Sequence, residues 1–262
     1  FTMLMVMDVG NTNITVGVFD HDDLKATFRM TTKTPRTSDE LGMVLWTMLS
    51  TRLIDSSLIH DVVISSVVPK IMHSLENAVI KYFHCTPLII GPGVKTGISV
   101  NSENPKEVGA DRIVNVAAAY HLYHQACLVI DFGTATTYDY ISAKGVFEYT
   151  VISPGIEIAA QALWSMTAKL PEIEIIKPER VLSKNTVSGM QSGLVYGYIG
   201  QVEYLVRRIK EELNQPLLKV IATGGLGRIL VNETDCIDEY DPDLAFKGMK
   251  IIYDKNQKGN RE

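Results

Sequence analysis

A motif that occurs twice constrains this chain more than any other feature. Asp8-Val9-Gly10-Asn11-Thr12-Asn13 ends the apolar run Leu4–Val9, and Asp131-Phe132-Gly133-Thr134-Ala135-Thr136 ends the run Leu128–Phe132. The two aspartates lie 123 residues apart (131 − 8), close to half of the 262-residue chain. Each copy places a carboxylate at a strand end, then a glycine, then hydroxyl and amide side chains on a tight turn. Such a turn offers backbone N–H groups to phosphate oxygens, and the carboxylate can hold hydrated Mg²⁺. One copy alone reads equally well as a hairpin turn. Two copies at half-chain spacing read as an internal duplication. A strand follows the first turn, unlike Walker-type or dinucleotide loops, which run directly into a helix.

The surrounding pattern supports two halves. Leu4–Val9, Ile14–Phe19 and Leu24–Met30 predict a three-stranded antiparallel meander. Leu41, Val44, Leu45, Met48 and Leu49 repeat at helical spacing over Ser38–Arg52, behind a Ser/Asp cap. A strand over Val62–Val68, a helix from Pro69 and a strand over Leu88–Ile90 complete the order βββαβαβ. After a helix over Val108–Tyr123 the order recurs, with strands at Leu128–Phe132, Thr137–Ile141 and Phe147–Ile152. Helices near Ile156–Ala168 and Val187–Leu213, a strand over Lys219–Ala222 and a helix near Leu244–Tyr253 follow. The expected halves are residues 3–124 and 125–256.

Charge and composition narrow the function. A net charge of −5, with no basic cluster, leaves no footprint for nucleic acid, and no run of 18 apolar residues predicts a membrane span. Cys85, Cys127 and Cys236 are too scattered for a disulfide or zinc framework, which fits a reducing cytoplasm. None of the six histidines has metal-ligand spacing with a carboxylate. Phe1 and Thr2 read as an expression scar ahead of Met3, without the features of a signal peptide.

A third element, Ala222-Thr223-Gly224-Gly225, closes an apolar strand with two glycines that permit close backbone approach to a ligand, or simply turn the chain into a helix. Together the three elements resemble the two phosphate motifs and the adenosine motif of the actin, sugar-kinase and heat-shock chaperone superfamily. That resemblance implies an α/β, duplicated ribonuclease-H-like (actin-like ATPase) fold, its two βββαβαβ-type halves set around a nucleotide cleft. Three segments narrow it further: Asn104 to Arg112 with its Gly109-Ala110-Asp111-Arg112, Asp131 to Thr137, and Asn185 to Gly193. In order and spacing they resemble the type III pantothenate kinase family, from about Met3 to Tyr253.

The resemblance implies phosphorylation of pantothenate by Mg·ATP, the first step to coenzyme A. It makes Asp111 the catalytic base, and Ser102, Gly109, Ala110, Asp111, Arg112 and Thr186 the pantothenate contacts. ATP and its phosphates fall to Asp8, Val9, Gly10, Asn11, Thr12, Asn13, Ile14 and Thr15, with Thr134, Gly224 and Gly225. Asp131 would bind a monovalent cation, K⁺ or NH₄⁺, and Asp8 would hold Mg²⁺ through water. A homodimer with shared active sites is implied as well. Two alternatives remain open: a silent member acting as a regulatory binding protein, and a kinase of another small polyol.

Some features have readings independent of the family. Asp111 near a helix start could cap it, and Arg112 could pair with a substrate carboxylate or a surface acid. Gly189, Gly193, Gly197 and Gly200 share one helix face, which predicts close packing on the chain's own sheet or against a second subunit. Trp46 and Trp164 read as core or interface. Three deviations from the family pattern stand out: Ser102 replaces a substrate-contacting tyrosine, Tyr149-Thr150 replaces a glycine pair and implies a reshaped loop, and Glu172 replaces an arginine.

Overall fold

Strand β1 (Met3–Val9) is apolar on both faces until Asp8, and so can only lie in the middle of a covered sheet. It pairs antiparallel with β2 (Asn13–Asp20), which pairs antiparallel with β3 (Asp23–Thr31). On its other edge β1 runs parallel to β4 (Ile59–Ser66), and β4 runs parallel to β5 (Leu88–Ile89). The sheet order is β3-β2-β1-β4-β5. The computed structural model describes residues 2–258 and contains two compact units, residues 2–122 with 243–258 and residues 123–242.

Strand alternation sorts the first core into two layers. Met5, Met7 and Val9 pack with helices α1 (Ser38–Thr51) and α2 (Pro69–Phe83), through Leu41, Leu45, Leu75 and Val79. After the short strand β6 (Ser99–Val100) comes α3 (Ala110–Tyr123), whose Val114 and Ala117 cover Leu4 and Val6 on the opposite face. Helix α1 opens with a capping box one residue earlier than the expected Ser/Asp cap. The Glu40 carboxylate accepts the Thr37 N–H at 2.7 Å, and Thr37 Oγ1 accepts the Glu40 N–H at 3.3 Å.

The second unit repeats this plan. Strands β7 (Cys127–Phe132), β8 (Ala135–Ile141) and β9 (Val146–Pro154) form an antiparallel meander. Helices α4 (Ile156–Ser165) and α5 (Thr186–Glu212) follow. Then β10 (Lys219–Thr223) runs parallel to β7, and after the short α6 (Gly227–Leu230), β11 (Glu239–Tyr240) runs parallel to β10. Of the six strands in the second sheet, the five that this unit supplies, β11-β10-β7-β8-β9, match the first sheet when read from β9. The duplication seen in two short motifs is therefore a duplication of topology.

Two expectations are corrected here. The closing helix α7 (Leu244–Lys258) was assigned to the 125–256 half, yet it belongs to the first unit. Its Phe246, Met249 and Ile252 bury against Leu4, Val6, Phe19 and Val63. Each such side chain contributes about 1.5–3 kcal/mol when fully buried, and Gly248 makes the approach possible because a Cβ there would meet the Val114 carbonyl at 2.4 Å. The second concerns Tyr149-Thr150, which lie within strand β9, beside the register shift that sets Tyr140 opposite Tyr149 and Ile141 opposite Phe147, rather than in a reshaped loop. The Tyr149 ring stacks on Tyr140 with centroids 6.0 Å apart, and Thr150 Oγ1 donates to buried Asp139 at 2.8 Å. An extended backbone takes any side chain, so no glycine is needed.

Candidate active site

The first turn joins β1 to β2 through Gly10, Asn11, Thr12 and Asn13, since Val9 pairs with Ile14. The Gly10 N–H donates to the Asn13 carbonyl at 2.9 Å, and Thr32 ties the turn to the end of β3 through its N–H to Thr12 O and its hydroxyl to Gly10 O. Asn11 is exposed and Thr12, Asn13 and Thr15 are partly so. Val9 and Ile14 are wholly buried, so any ligand contact from them comes through backbone atoms. The second turn is one residue shorter. Phe132 pairs with Thr136, leaving Gly133, Thr134 and Ala135, with the Gly133 N–H donating to Ala135 O at 3.2 Å and Thr134 exposed.

Each aspartate stands at the last turn-facing position of a central strand, with hydroxyl residues beside it on both neighbours. Asp8 pairs with Thr15 of β2 and Ser65 of β4. Asp131 pairs with Thr137 of β8 and Thr223 of β10. Their surroundings differ. Asp8 keeps some exposed surface, but neighbouring strands crowd it, and this desolvation, joined by the negative charge of Asp111, pushes its carboxyl up to about 7. The Ser65 hydroxyl offsets part of that rise without completing a hydrogen bond.

Asp111 is the second residue of α3 and accepts the Arg112 N–H at 2.8 Å. It therefore caps the helix start, where the dipole favours an anion, and also acts on Asp8. Gly109 makes room for it: a Cβ there would lie 2.4 Å from Asp111 Oδ1 and 3.3 Å from Val67. Ala110 and Arg112 are partly buried beside it.

In the second unit Gly224 does for Asp131 what Gly109 does for Asp111. Its φ is +91°, and a Cβ would lie 2.6 Å from both Asp131 Oδ1 and the Phe132 carbonyl. Gly155 presses equally close to the second turn, its N–H donating to Thr134 O at 3.1 Å. Gly225 is exposed beyond the end of β10. Ser65 carries no signal in the linear sequence, and Thr223 stands out there only as part of the Ala222–Gly225 motif and not as the neighbour of Asp131, because strand pairing is invisible in a linear sequence.

Thr186 opens α5, behind the Asn185 cap whose side chain accepts the Ser188 N–H at 2.9 Å. The glycine stripe does not pack on the chain's own sheet: a Cβ at Gly189, Gly193, Gly197 or Gly200 would meet nothing within 4 Å. The opposite face of α5 buries Leu194, Val195, Val202 and Val206 instead. With Thr186, Leu163 and Leu170, three of the glycines line a groove of about 690 Å³. Ser102 and Glu172 lie in exposed loops, Trp46 is 46% exposed, and Trp164 packs on the second core. Among the described residues no cluster of three or more His, Cys, Asp or Glu is arranged to hold a metal ion.

A family model described as type III pantothenate kinase matches residues 4–208. Two curated relatives carry that description. One, from Agathobacter rectalis, is 56% identical over 98% of this chain and 99% of its own, and one from Geobacillus kaustophilus is 50% identical over 97% and 98%. Among solved structures, a Baf family transcriptional activator from Campylobacter jejuni superposes with a TM-score of 0.58 at 20% identity, covering 97% of this chain and 99% of that one. MreB 5 of Spiroplasma citri, bound to AMPPNP, gives 0.54 at 12% identity over 99% and 98%. At these identities the structural matches speak for the fold alone, which is the duplicated actin-like fold.

Proposed function

The chain belongs to the type III pantothenate kinase family, and from that premise we infer that it phosphorylates pantothenate with ATP to give 4'-phosphopantothenate, in coenzyme A synthesis. One observation carries the site reading: Asp111, at the start of α3, lies within electrostatic reach of Asp8 at the first phosphate turn. This supports reading Asp111 as the base for the attacking hydroxyl, beside a turn suited to phosphate.

The transition state for phosphoryl transfer is loose, so the protein's task is positioning and charge stabilisation. Asp111 orients the primary hydroxyl and takes its proton late, which an aspartate can do despite its low basicity. Neither turn contains a lysine or arginine, so backbone N–H groups and the hydroxyls of Thr12, Thr15 and Thr134 meet the phosphate oxygens. The backbone of Asp8 to Thr15 and of Gly224 and Gly225 serves ATP. Gly109 to Arg112, Thr186 and Ser102 serve pantothenate, Arg112 being suited to its carboxylate.

The family implies a divalent metal with ATP. A site without a carboxylate cluster suits Mg²⁺, which is typically held by one or two carboxylates, water and substrate phosphates. Asp8 would hold it through water, and the ion would neutralise charge on the transferring group. Asp131, close against Gly224, would take K⁺ or NH₄⁺. The open glycine face of α5 fits a second copy of this chain, giving a homodimer in which Thr186 of one protomer completes the site of its partner. No helix among the described residues is long and apolar enough to cross a membrane, and the three cysteines are unpaired, which suits the cytoplasm.

A coupled assay of ADP release against a panel of primary alcohols and sugars, with and without K⁺, tests the activity. Turnover confined to pantothenate is expected. Turnover of a sugar instead would replace the substrate, and no turnover with any alcohol would leave a binding protein.

A further inference from the structure

Alternation along the first sheet puts one hydroxyl in a costly place. In β4, Val62 and Ile64 enter the core beneath α1 and α2, whereas Val63 enters the layer beneath α3 and α7. Ser65, two residues on from Val63, projects on the α3 side. In β1, Leu4 and Val6 mark that same side, so Asp8 projects there too. The two residues are direct partners in the parallel ladder. Ser65 has no exposed surface, and its Oγ has no hydrogen-bond partner among the described residues.

A buried hydroxyl without a partner is disfavoured against alanine, so packing alone does not account for a serine here. The second unit points the same way. The residue paired with Asp131 at the equivalent register is Thr223 of β10, also a hydroxyl and only 4% exposed. Both halves therefore set a buried hydroxyl beside the aspartate on its parallel-strand side.

Resting on the reading of Asp8 as the carboxylate of the first phosphate turn, we propose that Ser65 is a positioning residue whose hydroxyl donates to the Asp8 carboxylate and fixes its orientation toward the hydrated cation that accompanies ATP. The hydroxyl does not touch substrate. It acts through Asp8, as outer partners of metal-holding carboxylates do. The hydroxyl already acts to lower the Asp8 carboxyl, without completing a hydrogen bond to it. With nucleotide bound, the donor offsets the cost of holding a carboxylate in one direction.

The test compares Ser65→Ala and Ser65→Cys with wild type, each also in the Asp8→Asn background. The readouts are calorimetric affinity for Mg²⁺·AMPPNP, melting of the ligand-free protein, and the split between kcat and KM. Ser65→Ala is expected to melt at or above the wild-type temperature, while affinity falls by about 10–100-fold, as for other outer partners. Ser65→Cys preserves volume but donates weakly, so its affinity falls too, and it carries the comparison should the alanine variant not fold. In the Asp8→Asn background, Ser65→Ala should lower affinity no further, since the hydroxyl acts only through that carboxylate. Wild-type affinity in both single variants, or an equal loss with and without Asp8, overturns the proposal. If Asp8→Asn itself binds Mg²⁺·AMPPNP and turns over normally, the reading of Asp8 falls and Ser65 falls with it. An impaired Asp8→Asn beside normal Ser65 variants removes Ser65 alone.

Discussion

Asp8 and Asp111 oppose one another's ionisation: the charge at the start of α3 adds to the desolvation at the end of β1, and together they lift the Asp8 carboxyl to about 7. A carboxyl raised above its ordinary 3.8 holds its proton more tightly in the folded chain than in the unfolded one. Its contribution to stability is complete below about pH 4 and is lost as pH rises through about 7. Asp8→Asn removes that dependence. The melting advantage of Asp8→Asn over wild type, without ligand, should therefore be larger at pH 8 than at pH 5. At 1.36 kcal/mol per pH unit the whole window is worth about 4 kcal/mol at most, reduced by the solvent contact Asp8 retains. An equal advantage at both pH values would refute the coupling.

Asp111→Asn should still bind ATP and pantothenate yet lose at least about 100-fold in turnover, the low end for removing a general base. The same substitution removes a negative charge near Asp8, so the Asp8 carboxyl should titrate lower, as NMR on labelled aspartate would read. Retained turnover would take Asp111 out of the chemistry.

The cation reading predicts a sharp fall in rate when Na⁺ replaces K⁺, and no K⁺ response in Asp131→Ala. Gly224→Ala should blunt the response too, because its Cβ would come within 2.6 Å of Asp131 Oδ1 at a φ of +91°. Equal rates in both salts for the unmodified enzyme would end the assignment.

Ser102 is exposed and stands where the family usually has a tyrosine. Ser102→Tyr should lower KM for pantothenate more than it changes kcat, as an added contact made equally in ground and transition states would. An unchanged KM would mean that the loop does not face substrate.

Shared sites predict complementation between two inactive variants, Asp111→Asn and Thr186→Arg. After subunit exchange, half of the dimers are mixed, and each holds one doubly damaged and one intact site, so activity should recover to about a quarter of wild type. No recovery, with exchange confirmed by mass, would place both residues in one protomer's site.

Much of this was legible in the linear sequence because it rests on local chemistry. The repeated Asp-x-Gly turns, the βββαβαβ order and the helix opening just before Asp111 follow from apolar periodicity and turn residues, which act over a few positions. The sequence also set the glycine stripe on one face of α5. Tertiary structure alone decided what that face meets, namely open space rather than the chain's own sheet. It also returned α7 to the first unit through Phe246, Met249 and Ile252, and kept Tyr149 and Thr150 within strand β9. Above all it paired Asp8 with Ser65 and Asp131 with Thr223. Parallel pairing joins residues more than fifty positions apart, and its register is fixed by which faces are buried, a property of the whole sheet rather than of either strand.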